Sequence, residues 1–126
     1  MQTKQQKRAE FALKAINEID EIDKKTANFY AGAPTMILTN GLGQTMAFLL
    51  SKKEEREKEL FNKLKEWLSK EKNPLADLKD KKDIEFLQAF NALPITKYIE
   101  AQTEALYLAE WLKRYAKAFE IEETRK

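Results

Sequence analysis

The sequence predicts an all-α fold, a compact single-domain bundle of about five main helices. Apolar residues recur at intervals of three and four along most of the 126-residue chain, as amphipathic helices require. No segment alternates between apolar and polar residues for long enough to indicate a strand. Only three glycines and three prolines interrupt the chain, so helices are expected nearly everywhere.

The length is that of one domain, which can bury about two-thirds of its unfolded surface. We therefore expect one helical domain over residues 1–126, with disordered ends at 1–3 and 121–126. Thr3 and Gln6 have the spacing of a capping box, which predicts that the first helix starts near Thr3. The apolar residues that form its predicted core stripe are Ala9, Ala12, Leu13, Ile16 and Ile19.

The second helix is predicted to run from about Pro34 to Lys52, because proline suits the first turn of a helix. A break between Asp23 and Gly32 should precede it. Residues 26–51 carry no charge, although 35% of the chain is charged, which predicts a segment that is largely buried in protein. Its polar residues interrupt it, and it lacks the ~20 predominantly apolar residues that a membrane span needs.

The third helix is predicted to begin near Lys53 and to end at Asn73-Pro74, with the run Glu54–Glu59 on a solvated face. Its buried side comprises Leu60, Phe61, Leu64, Trp67 and Leu68. A short fourth helix has the apolar residues Ile84, Leu87, Phe90 and Leu93. The fifth helix should run from Ile95 to about Glu120, and its core side comprises Tyr98, Ala101, Ala105, Leu108, Ala109, Leu112, Ala116 and Phe119.

The composition argues against an enzyme. The chain has no cysteine and no histidine, so it lacks the usual zinc sites, thiolate nucleophiles and the commonest general base. We predict no catalytic residue, no metal, no cofactor, no small-molecule substrate and no membrane partner. A carboxylate-metal nuclease using Glu54/Glu57 or Glu122/Glu123 is disfavoured, because these pairs lie on surface charge runs. The basic start has no apolar segment of signal-peptide type behind it, which predicts a cytoplasmic protein.

A polar stripe on the second helix has two interpretations. Asn40, Gln44 and Ser51 fall within a sector of about 40° on an ideal helix. They either find hydrogen-bond partners inside the fold or, with Lys52, face a bound strand or a neighbouring subunit. The glycines within this stretch indicate close backbone approach, either to a packed helix or to a sugar-phosphate chain.

Two basic patches are candidate phosphate contacts, although a net charge of +2 does not by itself indicate a nucleic-acid partner. Lys113, Arg114 and Lys117 share one side of the last helix, where the helix dipole alone would also favour cations. On the first helix the patch combines basic and aromatic side chains, as single-strand binders do, or it is a small packing interface. Its members are Lys4, Lys7, Lys14 and Phe11.

Three stretches of the sequence carry a family resemblance. The first is Asn40-Gly41-Leu42-Gly43-Gln44, leading through Ala47-Phe48-Leu49 to Ser51-Lys52. The second is Thr103-Glu104-Ala105-Leu106, leading to Trp111-Leu112-Lys113-Arg114, and Trp67-Leu68 is the third. In order and spacing, from about Arg8 to Ala118, the chain resembles the small all-helical subunit of the type III-B CRISPR RAMP-module effector complex, the Cmr complex.

The resemblance implies a non-catalytic subunit in antiviral defence that stacks in several copies as a filament. It would line the channel in which target RNA pairs with guide RNA, and its partners would be other Cmr subunits, further copies of itself and the RNA backbone. The RNA-binding candidates are Lys52, Lys113, Arg114, Lys117, Asn40, Gln44, Lys7 and Lys14. The family motif and packing residues are Gly41, Leu42, Gly43, Phe48, Trp67, Trp111 and Leu112. The alternative is a helical adaptor that makes only protein–protein contacts.

Overall fold

The computed structural model of the chain describes residues 1–122, and within this range it contains α-helices and one 3-10 helix but no strand. The 3-10 helix comprises Ala76–Leu78. The five α-helices are α1 (Lys4–Asn17), α2 (Lys24–Lys52), α3 (Glu55–Leu68), α4 (Asp83–Asn91) and α5 (Ile95–Ala118). The predicted all-α fold with five main helices is thereby confirmed.

The described chain divides into two compact units. The first unit contains residues 1–35 and the chain from Tyr107 onwards, and the second contains Met36–Leu106. Helices α2 and α5 each contribute one part to each unit. The single domain over residues 1–126 and the disordered ends stay predictions, and residues 123–126 of the second end lie outside the described residues.

Helix α1 begins as its sequence predicts. The Gln6 N–H donates to Thr3 Oγ1 at 3.0 Å, and the Thr3 N–H donates to Gln6 Oε1 at 2.8 Å, which confirms the capping box. The residues that α1 buries are Ala12, Ala15 and Ile16. Leu13 is exposed, contrary to the predicted stripe, because these three residues span a sector of about 100° and Leu13 lies about 60° outside it.

The predicted start of α2 at Pro34 is wrong. Asp23 Oδ1 accepts the Thr26 N–H at 2.8 Å and caps the helix at its actual start, Lys24. The break between the first two helices therefore lies at residues 18–23, before the predicted one. Pro34 is buried in the interior of α2, where the missing N–H and the ring cost about 3 kcal/mol. Burial of the surrounding apolar face offsets this cost.

Residues 26–51 are not largely buried, in contrast to the prediction. The members of the buried face are Ala27, Tyr30, Ala33, Ile37, Leu42, Met46 and Leu49. The remaining residues of this stretch are largely exposed yet uncharged, and they include Leu38 at 68% and Phe48 at 43% exposure. The prediction is wrong because absence of charge does not by itself imply burial. The buried residues of this stretch are largely apolar, and its exposed residues are uncharged polar or apolar side chains. Within residues 1–122, no helix is long and apolar enough to cross a membrane.

Helix α3 buries all five apolar residues that were predicted for its core side. It ends at Leu68, earlier than predicted, because Ser69 Oγ donates to the Lys65 carbonyl oxygen at 2.7 Å and the Asn73 amide donates to the Trp67 carbonyl oxygen. Glu57 is buried, so the predicted solvated run is interrupted at this position.

The predicted core side of α5 is confirmed in its centre, whereas that of α4 is confirmed only at Phe90, because Leu87 and Leu93 are half-buried and Phe86 was not predicted. In α4 the buried residues are Phe86 and Phe90, whereas Ile84 is exposed. In α5 the six central members of the predicted core side are fully buried: Ala101, Ala105, Leu108, Ala109, Leu112 and Ala116. Tyr98 is only half-buried, and Phe119 follows the end of the helix and is 56% exposed, so it is not a core residue.

Candidate nucleic-acid interface

The glycine motif forms a kink in α2 rather than a continuous helix. Gly41 has φ 83° and ψ 159°, a conformation that is essentially restricted to glycine. A new helical segment starts after it, so the N–H groups of its first turn have no partner within the helix. The angular sector calculated for Asn40, Gln44 and Ser51 therefore does not apply, because it assumed one regular helix.

Two side chains of α5 satisfy the N–H groups that the kink exposes. Gln102 Oε1 accepts the Leu42 N–H at 2.9 Å, and the Tyr98 hydroxyl oxygen accepts the Gly43 N–H at 3.0 Å. A Cβ on Gly43 would lie 3.2 Å from the Tyr98 hydroxyl oxygen, which is a tight contact. The close approach that the glycines indicated is therefore made to a packed helix.

The polar residues beside the kink do not share this packing role. Asn40 and Gln44 are exposed, and Ser51 Oγ donates to the Phe48 carbonyl oxygen at 2.8 Å within the same helix. Lys52 is exposed, and its Nζ lies 5.6 Å from the centre of the Phe48 ring. This end of α2 thus combines an aromatic ring with a cation.

The other two stretches of the resemblance meet inside the second unit. Trp67 Nε1 donates to Glu104 Oε2 at 2.9 Å, and both side chains are buried. A buried hydrogen bond to a carboxylate stabilises more than a neutral one, and loss of either partner is costly. Trp67 and Glu104 therefore act in packing, as does the fully buried Leu42.

The cationic side of α5 lies in the first unit and is only partly available. Lys113 and Arg114 are exposed. Lys117 is also exposed, but its Nζ donates to Asn28 Oδ1 at 2.8 Å and lies 3.5 Å from Glu120 Oε1. The three cations are thus unequal as candidate phosphate contacts, a difference that the sequence does not reveal.

The basic patch of α1 belongs to the same unit. Lys7 and Lys14 are exposed and Phe11 is half-buried. Arg8, which sequence reasoning did not include, places its guanidinium 4.6 Å from the centre of the Tyr107 ring on α5. This cation–π contact joins α1 to the start of the α5 segment in this unit.

Sequence reasoning also missed a series of aromatic residues on α5. They recur every fourth residue, and the series is Tyr107, Trp111, Tyr115 and Phe119. The Trp111 and Tyr115 rings have centroids 5.6 Å apart and planes inclined by 27°, and Tyr115 and Phe119 follow at 6.5 Å and 30°. The spacing of four was the signal that could have identified this series.

The carboxylate side chains of the described residues do not form a metal-binding cluster. Among residues 1–122 no group of three or more histidine, cysteine, aspartate or glutamate side chains could hold a metal ion. The two carboxylate pairs considered from the sequence include Glu57, which is buried, and Glu123, which lies outside the described residues.

Comparison with known proteins agrees with the resemblance. A family model described as CRISPR-associated protein (Cas_Cmr5) matches residues 4–119. A relative from Thermotoga maritima, the CRISPR system Cmr subunit Cmr5, is 33% identical over 109 residues, which cover 83% of this chain and 78% of the relative. Both similarities extend over most of the chain, and the range matched by the family model includes all three stretches that the resemblance used. The chain therefore belongs to the Cmr5 family of CRISPR-associated proteins.

Proposed function

We propose that this chain is the non-catalytic small subunit of a type III-B Cmr RNA-targeting effector complex. Several copies would stack along the assembly beside the paired guide and target RNA, in the cytoplasm. Each copy would contribute contacts to the RNA backbone that do not read the base sequence. Base pairing between guide and target would then supply the specificity.

The observation that carries the RNA-binding part is the exposed pair Lys113 and Arg114. Adjacent exposed cations suit phosphate groups, and among residues 1–122 no salt-bridge partner is found for either side chain. Lys7, Lys14 and Lys52 are further exposed cations that could add phosphate contacts. Each contact is weak on a chain with a net charge of +2, so stacking of several copies along one RNA would raise the avidity.

The exposed uncharged face of α2 supports the protein-contact part. The stretch from Leu38 to Phe48 has no cation that could hold a phosphate, and it exposes the apolar side chains Leu38 and Phe48, one on each side of the Gly41 kink. A neighbouring protein subunit would bury these side chains, whereas an RNA backbone would not. We therefore assign this face to subunit contacts, with Asn40 and Gln44 supplying polar groups at its surface rather than phosphate contacts.

The test is target-RNA binding by an assembly reconstituted with Lys113→Glu/Arg114→Glu. The expected result is an intact assembly whose affinity for target RNA falls and whose dependence on salt becomes weaker, because fewer counterions are released. The matched control is Lys24→Glu/Lys25→Glu, which makes the same charge change at two exposed lysines outside the proposed contacts. Unchanged RNA binding by the intact variant assembly would favour the adaptor that makes only protein contacts.

A further inference from the structure

An open apolar cavity of about 210 Å³ lies in the first unit, between the end of α1 with the turn after it and the chain that follows α5. The Ile121 N–H donates to the Ile22 carbonyl oxygen at 2.9 Å, which holds these two walls together. Leu13 is 40%, Ile121 44% and Phe119 56% exposed, so the cavity presents apolar surface that an occupant could bury. Its apolar lining is Leu13, Ile16, Ile19, Ile22, Phe119 and Ile121.

The turn that lines this cavity is acidic. It comprises residues 18–23, between α1 and α2, and contains four carboxylates and no cation. Asp20 lines the cavity, is exposed, and has no ion-pair partner among residues 1–122. This turn repels the phosphates of RNA, so the cavity suits a protein partner that combines an apolar side chain with a cation.

Phe48, in the second unit, has this combination. Its side chain is 43% exposed near the end of α2, and Lys52 Nζ lies 5.6 Å from the centre of its ring. An apolar cavity of about 150 Å³ is large enough to bind benzene, so the cavity of the first unit has room for a phenyl ring. Lys52 is exposed and one helical turn from Phe48, which places a cation beside the ring that would enter.

The other strongly exposed apolar side chains of the second unit fit the cavity less well. Ile84 is 70% exposed, but carboxylate residues flank it on both sides and would meet the acidic turn. Ile95 and Ile99 are accompanied by Lys97, whose Nζ is already held 3.6 Å from a neighbouring carboxylate oxygen. Leu38 lies in a stretch without charge. Charge complementarity with the acidic turn therefore favours the ring near the end of α2.

We propose that Phe48 of one copy inserts into this cavity of a second copy of the chain, where Lys52 pairs with Asp20. The ring and the cavity belong to different units, so the contact is heterologous: each copy offers a ring to one neighbour and a cavity to another. Such a contact can repeat along a filament. The inference rests on the proposed function, which supplies neighbouring copies, and it assigns Lys52 to a protein contact instead of a phosphate contact.

The first test is cross-linking, which is simple because the chain has no cysteine of its own. Asn17 lines the cavity and Ser51 is next to Lys52, and both are exposed. In an assembly reconstituted with Asn17→Cys/Ser51→Cys, a short bismaleimide should link copies of the chain into a series of covalent dimers and larger multimers. Each single variant should give no such series, since a heterologous contact joins two different positions.

The matched control is Asn17→Cys/Ile84→Cys, which pairs the same cavity position with an exposed residue outside the contact. It should give no series of multimers. A series of equal yield in this control would overturn the inference, because linkage would then not depend on the proposed contact.

The second test adds charge changes to Asn17→Cys/Ser51→Cys. Lys52→Glu should lower the yield of multimers severalfold, and Asp20→Lys in the same chain should restore it, because the pair is then reversed. Phe48→Asp should abolish the series, whereas Ile84→Asp should leave it unchanged. A full yield with Phe48→Asp, or no recovery when Asp20→Lys is added to Lys52→Glu, would overturn the inference.

The two proposals fail in different ways. Native mass spectrometry counts the copies of this chain in the wild-type assembly. A single copy would overturn the stacking in the proposed function, together with this inference. Several copies without the covalent series in Asn17→Cys/Ser51→Cys would overturn the contact between ring and cavity and leave the stacking supported.

Discussion

The indole N–H of Trp67 donates a hydrogen bond to the Glu104 carboxylate at 2.9 Å, and this bond joins α3 to α5 within the second unit. Both residues belong to stretches that carry the family resemblance. The stretch around Gly41 also packs on α5, through Tyr98 and Gln102. Trp67, Glu104, Gly41 and Gly43 are thus explained by packing around one helix in this unit.

We predict that Trp67→Phe destabilises the protein by about 1–3 kcal/mol, because it removes a buried hydrogen bond to a carboxylate. Urea unfolding followed by circular dichroism measures the change in the free energy of unfolding. Trp111→Phe is the control, since Trp111 is half-buried, and it should cost less. Glu104→Gln retains an oxygen acceptor and should also cost less than Trp67→Phe. Equal midpoints for Trp67→Phe and the wild type would show that the hydrogen bond contributes nothing to stability.

Gly41→Ala should destabilise the protein, whereas Gly32→Ala should stabilise it. Gly41→Ala forces a side chain onto a positive φ and should cost about 1–3 kcal/mol. Gly32 lies inside α2 with no atom within 4 Å of an added Cβ, so Gly32→Ala should stabilise by about 0.5–1 kcal/mol. Thermal unfolding of the two variants tests this contrast. Similar midpoints for both would contradict the kink at Gly41.

The Gly43–Tyr98 contact should appear as energetic coupling between the two residues. Gly43→Ala brings a Cβ within 3.2 Å of the Tyr98 hydroxyl oxygen, and Tyr98→Phe removes that oxygen together with the acceptor for the Gly43 N–H. In a double-mutant cycle we expect the double variant to be less destabilised than the sum of the single variants, by about 0.5 kcal/mol or more. Additive free energies would mean that the hydroxyl does not restrict residue 43.

Sequence patterns correctly predicted the structural features that depend on residues close together in the chain. The capping box at Thr3 and the buried side of α3 depend on residues within one or a few turns, and both are confirmed. The kink at Gly41 depends on acceptors that lie 55 and 60 residues away along the chain, so no local pattern could predict it. The position of Pro34 predicted the wrong start for α2, because the helix is capped by Asp23 and begins at Lys24.

The candidate site was predictable in its residue types but not in its grouping. Lys113 and Arg114 were identified from helix geometry, and both are exposed. The contact between Arg8 and Tyr107 joins α1 to α5, which are far apart in sequence, so the meeting of a basic and an aromatic patch required the structure. The aromatic series from Tyr107 to Phe119 is visible in the sequence as a spacing of four, but Phe119 was predicted to be a core residue.

We predict that the salt dependence of RNA binding reports the number of phosphate contacts. For single strands the logarithmic slope changes by about 0.7 per contact, so Lys113→Glu/Arg114→Glu should weaken the slope by about 1.4 if each cation neutralises one phosphate. Fluorescence titration with oligouridylate at several salt concentrations measures this slope. Lys24→Glu/Lys25→Glu should leave the slope near that of the wild type, and an equal change in both variants would indicate only a general charge effect.

Lys117 should contribute less to RNA binding than Lys113, although both are exposed cations on the same part of α5. Lys117 Nζ already donates to Asn28 Oδ1 at 2.8 Å and lies 3.5 Å from the Glu120 carboxylate, so a phosphate would have to displace these partners. Lys117→Gln should therefore raise the dissociation constant less than Lys113→Gln does. Asn28→Ala removes one competing acceptor and should tighten RNA binding in wild type but not in Lys117→Gln. If Asn28→Ala has no effect while Lys117→Gln weakens binding as strongly as Lys113→Gln, the Asn28 contact does not hold Lys117 away from RNA, and the three cations act as one patch.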